Sequence, residues 1–253
     1  MKIKKLLIVG NWKMYVSTFN EARSIAQEVS LKIKGNKVHS VVLCPSFSHL
    51  FRLSGGKKGL ITWGAQDVGV HEEGAHTGET GARQLADSGI SYVIVGHSER
   101  RAGGETNEVI SEKVKRARAY GIVPIVCIGE SVRDEHGDYL RVVREQIMQS
   151  LRGIKKADLK NIVIAYEPVW SIGKKEDEII TPRDLHEMVI YIRKILSLIF
   201  GANEAKAVRI IYGGSVTPGN AYSIVNLGEV AGLLIGRDSV RPDSLASIVK
   251  ILS

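Results

Sequence analysis

The sequence predicts an α/β fold, a closed (β/α)8 barrel forming a single domain over residues 1–253. Three observations carry this. Eight short apolar runs rich in β-branched residues recur along the chain, amphipathic stretches of helical period separate them, and no low-complexity linker or sharp change in composition divides them. The apolar runs lack period-2 alternation, which suits strands covered on both faces. The same pattern allows an open doubly wound sheet as the alternative.

The first run is Leu6–Val9, stopped by Gly10. Ala22, Ile25, Ala26 and Val29 then fall at the i, i+3, i+4, i+7 spacing of one helix face. The following strands are read at Val38–Leu43, Leu60–Trp63, Tyr92–Val95 and Ile122–Cys127, and then at Asn161–Ala165, Ala207–Tyr212 and Val230–Ile235. Leu185, Met188, Val189 and Ile192 repeat the helical spacing before the seventh strand. Thr181-Pro182 and Thr217-Pro218 each offer an N-cap hydroxyl followed by proline at the first helical position.

Composition narrows the functional classes. With 44% hydrophobic and 25% charged residues the chain is an ordinary globular one. Cys44 and Cys127 lie inside apolar runs and read as buried thiols of a reducing compartment, which excludes a disulfide scaffold. No apolar run approaches the ~20 residues of a membrane helix. The basic start, Met1-Lys2-Ile3-Lys4-Lys5, is followed by an apolar stretch shorter than an export signal needs, so a cytoplasmic chain is expected. The net charge of +8 is compatible with an anionic partner. Most of it reads as solvated lysine, including Lys113 and Lys115 on a helix shared with Glu108 and Glu112. No Arg-rich tail or aromatic-basic motif marks a nucleic-acid surface, and no His, Cys or Asp cluster has metal-ligand spacing.

In a barrel the chemistry belongs to the ends of the strands, which makes those ends a search list. Glu167 follows the sixth strand and suits a general base, its basicity raised by burial beside Trp170 and Ile172. The residues after it, a stiff Pro168-Val169-Trp170, a small tip Ser171-Ile172-Gly173 and a charged stretch from Lys174 to Glu178, have the form of a lid. His97 ends the fourth strand beside a forming helix, where donated N–H groups favour a neutral imidazole that can polarise a carbonyl. The other six histidines read as surface or structural residues. Lys13 and Asn11, one on each side of Trp12, can neutralise and hydrogen-bond a developing oxyanion. Tyr212-Gly213-Gly214-Ser215 and Gly232-Leu233-Leu234-Ile235-Gly236 bring glycine turns that can cradle a phosphate on backbone N–H groups.

Five strings, taken together and in order, resemble triosephosphate isomerase over essentially the whole chain. They are Gly10-Asn11-Trp12-Lys13-Met14, Gly96-His97-Ser98-Glu99-Arg100-Arg101, Cys127-Ile128-Gly129-Glu130, Ala165-Tyr166-Glu167-Pro168-Val169-Trp170 and Tyr212-Gly213-Gly214-Ser215-Val216. That family is itself the usual illustration of barrel, lid and neutral-histidine chemistry, so agreement with those rules is not independent support. The resemblance implies interconversion of dihydroxyacetone phosphate and D-glyceraldehyde 3-phosphate, in glycolysis and gluconeogenesis, without cofactor or metal. It implies that Glu167 moves the proton, neutral His97 polarises the oxygens, and Lys13 and Asn11 hold substrate and stabilise an enediolate, with Glu99 supporting Lys13. The phosphate would sit on backbone N–H groups of Gly173, Ser215, Gly236 and its neighbour Arg237. The resemblance also implies a homodimer, with the loop from Glu73 to Glu79 docking beside the partner's site and Thr77 approaching Asn11 and Lys13 there. Partners beyond that would be the small phosphorylated triose alone, with no nucleic acid and no membrane.

The chain departs from the family in three places. Ser171 stands where alanine is usual, and Lys174-Lys175 replaces a Thr-Gly pair in a lid about two residues longer. Arg237 replaces the second glycine of a Gly-Gly pair, and the segment from Arg101 to Glu105 is one residue short. Arg237 is expected to keep an ordinary φ and to point its side chain towards Asp238 or solvent. The other readings are a barrel without catalysis that binds a partner on its surface, a basic nucleic-acid binder, and another sugar-phosphate isomerase.

Overall fold

The computed structural model describes residues 5–36, 39–55, 59–174 and 178–253. Eight parallel strands close into a barrel in sequence order: β1 Leu7–Asn11, β2 Ser40–Cys44, β3 Ile61–Ala65, β4 Tyr92–Val95, β5 Val123–Ile128, β6 Val163–Tyr166, β7 Arg209–Tyr212 and β8 Gly232–Ile235. The open-sheet alternative is excluded by the pairing of β1 with β8, Leu7 opposite Gly232 and Gly10 opposite Ile235. Closure needs glycine at position 232. A Cβ there would lie 2.0 Å from the Leu7 carbonyl oxygen.

Alternate strand residues face two cores, as the continuous apolar runs require. Leu7, Val9, Val42, Cys44, Ile94, Ile125, Cys127, Val163, Ala165, Ile211 and Leu234 fill the barrel. Ile8, Leu43, Val93, Val126, Ile164, Ile210 and Leu233 face outwards against the helices. Both cysteines are free and buried.

The helices among the described residues are α1 Phe19–Lys32, α2 Phe47–Ser54, α3 Ala82–Asp87, α4 Ser98–Ala102, α5 Asn107–Ala119, α6 Asp138–Ser150, α7 Pro182–Phe200, α8 Ala202–Ala207, α9 Ala221–Leu227 and α10 Pro242–Ile251. The two apolar stripes read from sequence are the buried faces of α1 and α7. Thr181 caps α7 by accepting the Asp184 N–H at 3.1 Å, with Pro182 at the first position. No helix among the described residues is long and apolar enough to cross a membrane.

Several expectations need correction. The fourth strand spans Tyr92–Val95 as read, while the other seven begin one or two residues later, with Leu6 and Ile122 already buried before their ladders start. Asn161 ends a 3-10 turn and Ala207 ends α8, so neither is in a strand. Val38 and Lys175 lie outside the described residues. Thr217 does not cap a helix with its hydroxyl. Asn220 holds the N-cap position without a side-chain cap bond, and its side chain braces the preceding turn, accepting the Thr217 N–H and donating to the Ser215 carbonyl. Lys113 is not solvated: it is 3% exposed, bonded to Asp67 Oδ1 at 2.6 Å and to Glu105. Those carboxylates reach it from outside its own helix, so local sequence could not reveal the pairing.

Candidate active site

Four strand ends deliver the charged groups. Asn11 ends β1, only 5% exposed, and its side-chain oxygen accepts the Lys13 N–H at 3.1 Å. Lys13 itself has φ 46°, one of two non-glycine residues with positive φ among those described. Gln66, from the end of β3, donates to the Lys13 carbonyl at 3.0 Å and to the Cys44 carbonyl at 2.9 Å. Lys13 Nζ lies 2.6 Å from Glu99 Oε1, so the residue expected to support Lys13 is in contact with it.

His97 ends the β4 segment as the N-cap of α4. Its Nδ1 accepts the Glu99 N–H at 3.2 Å. An accepting Nδ1 is the arrangement made by an imidazole whose hydrogen sits on Nε2. Nε2 faces Glu167 Oε1 at 3.5 Å.

Glu167 is 3% exposed, and its Oε2 accepts the Ser98 N–H at 3.1 Å. The carboxylate fits because glycine ends the strands on either side. A Cβ at Gly213 would lie 2.7 Å from Glu167 Cγ, and one at Gly129 would lie 1.8 Å from the Glu167 carbonyl oxygen. Burial pushes the Cys127 thiol well above its ordinary value, so it remains an S–H. Ile172 lines a cavity with Glu167, and Trp170 is fixed nearby through its indole. That indole N–H goes to Glu130 Oε1 at 2.8 Å, where Tyr166 also donates at 2.9 Å. Burial pushes the Glu130 carboxyl above its ordinary value.

One cavity of about 270 Å³ brings together Asn11, Lys13, His97, Glu167, Gly173, Ser215, Gly236 and Arg237. The Gly173 N–H donates to the Ser215 hydroxyl at 3.0 Å, joining the segment after Glu167 to the end of β7. Lys175, Glu176 and Asp177 of the expected lid lie outside the described residues. Arg237 begins a 3-10 turn, Arg237–Val240, and its φ is not positive. Its side chain is exposed and forms no ion pair among the described residues. It is not directed to Asp238, which is taken by the Ser244 hydroxyl at 2.7 Å and by Arg241 at 3.8 Å. Thr77 is exposed and lines neither this cavity nor its neighbour. Among the described residues no group of three His, Cys, Asp or Glu is placed to hold a metal.

Sequence reading passed over three supports of this site: Gln66, Glu130 and Arg101. The Arg101 guanidinium donates to the Gly96 carbonyl at 2.8 Å and to the Cys127 carbonyl at 3.1 Å, fastening β4 to β5 behind Glu167. Gln66 and Glu130 stood at strand ends, which was the available signal. Arg101 stood on a helix.

The closed barrel and the charged cavity at the strand ends define a (β/α)8-barrel enzyme. The family model for triosephosphate isomerase matches residues 6–252. The chain is 40% identical over 251 residues to the triosephosphate isomerase of Carboxydothermus hydrogenoformans, covering 98% of this chain and 99% of that one. It is 39% identical over 251 residues to that of Dictyoglomus thermophilum, covering 98% and 100%. The Thermoanaerobacter pseudethanolicus enzyme is 38% identical over 250 residues, covering 98% and 99%. The chain belongs to the triosephosphate isomerase family.

Proposed function

We propose that this barrel interconverts dihydroxyacetone phosphate and D-glyceraldehyde 3-phosphate through an enediolate, without cofactor. The observation that carries the assignment of roles is the paired placement of His97 and Glu167, an Nε2–H donor 3.5 Å from a buried carboxylate inside one cavity. Glu167 takes a proton from one carbon of the bound triose and returns it to the next. Neutral His97 donates from Nε2 to the carbonyl and hydroxyl oxygens as negative charge moves between them. A neutral donor polarises the oxygen without trapping it as a fully protonated enediol. Lys13 supplies the counter-charge. Asn11 spends its side-chain oxygen on the Lys13 N–H, which leaves its amide N–H groups free for the same substrate oxygen. Backbone N–H groups of Gly173, Ser215, Gly236 and Arg237 take the phosphate.

The homodimer belongs to the same reading. Beside the active-site cavity lies a second of about 700 Å³, lined by Met14, Tyr15, Phe47 and Gln66 with Asn11 and Lys13 at the boundary. Met14 is 92% exposed there. The loop around Thr77 is pinned at its base, Gly69 N–H to the Thr80 carbonyl at 2.8 Å, and its tip is exposed. In a dimer such a tip fills the partner's cavity and completes the surroundings of Lys13. A cytoplasmic location follows from the reading of the buried thiols and the isomerase role.

A coupled isomerase assay on purified protein tests the activity, and Glu167→Gln tests the mechanism. The variant is expected to keep its fold and to lose on the order of 10²–10⁴ in kcat. A variant with wild-type kcat would remove Glu167 as the base.

A further inference from the structure

Ser171 lies in the 3-10 turn Val169–Ser171, four residues after Glu167, and is fully buried. Its hydroxyl accepts the N–H of Ile180, itself buried, at 2.9 Å. Its own N–H donates to the Pro168 carbonyl at 2.9 Å, and its carbonyl accepts the Ser215 hydroxyl at 3.3 Å. Ser215 Oγ in turn accepts the Gly173 N–H. One residue therefore joins the turn after Glu167, the approach to α7 and the end of β7.

We propose that Ser171 is a positioning residue for the isomerisation: its hydroxyl fastens the turn after Glu167 to Ile180, and so holds Gly173 against Ser215 on the phosphate side of the cavity. The proposal rests on the isomerase reading of this site. Its physical basis is the Ile180 N–H. With alanine at position 171 that donor is left in a buried place without its acceptor, and the segment gains by opening it to water. The opening breaks the frame that sets the Ser171 carbonyl, the Ser215 hydroxyl and the Gly173 N–H together. An enediolate reached by water has a competing fate. Its C–O bond to phosphate breaks, the electron pair leaves with the phosphate, and the remaining enol becomes a dicarbonyl. Phosphate released per turnover therefore reports the hold on the segment, which a loss of stability alone would not change.

The test compares the wild type with Ser171→Ala and Ser171→Thr. The measurements are kcat, KM, inorganic phosphate released per turnover, thermal melting, and amide exchange at Ile180 followed by NMR. In the alanine variant KM and phosphate release are expected to rise about tenfold, the factor that one lost buried hydrogen bond gives. Threonine, which keeps the hydroxyl, is expected to return both to within about threefold. In the wild type the Ile180 amide is expected to be protected at least about a hundredfold, as a persistent buried hydrogen bond requires. An alanine variant with wild-type KM and phosphate release overturns the proposal, and so does a folded threonine variant that behaves like alanine. An Ile180 amide exchanging at the free-chain rate overturns it without any variant. A wild type with that amide protected but no isomerase activity would count against the isomerase reading instead.

Discussion

Lys13 shows how a single residue can be placed against its own preference. A lysine at φ 46° costs about 1–3 kcal/mol of backbone strain. The neighbours hold it from both ends, Asn11 at its N–H and Gln66 at its carbonyl, so the ammonium leaves β1 directed at the cavity and at Glu99. Arg237 is the opposite case. Its backbone has an unstrained φ, so glycine's freedom is not required in this turn, and its exposed guanidinium has no ion-pair partner among the described residues. Phosphate binding on the backbone N–H groups should then be nearly indifferent to the side chain. In Arg237→Gly, KM and inhibition by inorganic phosphate are expected to change less than about threefold, under ~1 kcal/mol. A loss of tenfold or more that shrinks at high salt would make the guanidinium a direct ligand.

At the scale of elements, the ends of helices carry much of the order. Helix α6 begins after a left-handed Gly137, and Asp134 organises that start by accepting the N–H groups of His136, Asp138 and Tyr139. Those donors, the Asp138 N–H first, hold the Asp134 carboxyl below its ordinary value. A carboxyl lowered in the folded state stabilises the fold above its unfolded value of ~3.9, and that contribution is lost as pH falls through the folded value. Asp134→Asn should therefore lower the urea midpoint by an amount that is constant from pH 8 to about pH 5 and narrows on further acidification. An unchanging gap across that whole range would show that the charge on Asp134 plays no part. Lys113 shows that an element also takes its charge partners from elsewhere. It sits on α5 with Asp67 from the end of β3 and Glu105 from the segment before the helix.

For the whole molecule the barrel has to close, and closure depends on the contact between β8 and β1. Gly232→Ala would put a carbon 2.0 Å from the Leu7 carbonyl oxygen, with Leu7 flanked by ladder partners that leave it nowhere to move. The expected result is loss of more than ~4 kcal/mol, seen as an insoluble protein or a melting temperature lowered by more than about 10 °C. A melting curve within about 3 °C of wild type would mean that the strands can separate there without cost. The second cavity leads to a prediction about assembly. A chain with Met14 92% exposed beside its active site should sediment as a dimer at micromolar concentration. A fully active monomer would show that the Thr77 loop has no role in the partner's site.

The sequence by itself determined the eight-fold alternation, the buried stripes of α1 and α7, and the strand-end positions of Asn11, Lys13, His97, Glu167, Ser215 and Gly236. It could do so because these features are local: hydrophobic period and the residue that follows each strand are set by neighbours in the chain. Tertiary structure decided what depends on residues far apart. Trp170 gave its indole N–H to Glu130, Lys113 was buried against Asp67 46 residues away as well as against Glu105, and the fit of Glu167 between β5 and β7 required Gly129 and Gly213. Before α9 the Asn220 amide braced the turn, with both the Thr217 N–H and the Ser215 carbonyl within its reach. A side chain chooses among its hydrogen-bond partners by distance in space, and that distance is fixed only when the strands close on one another.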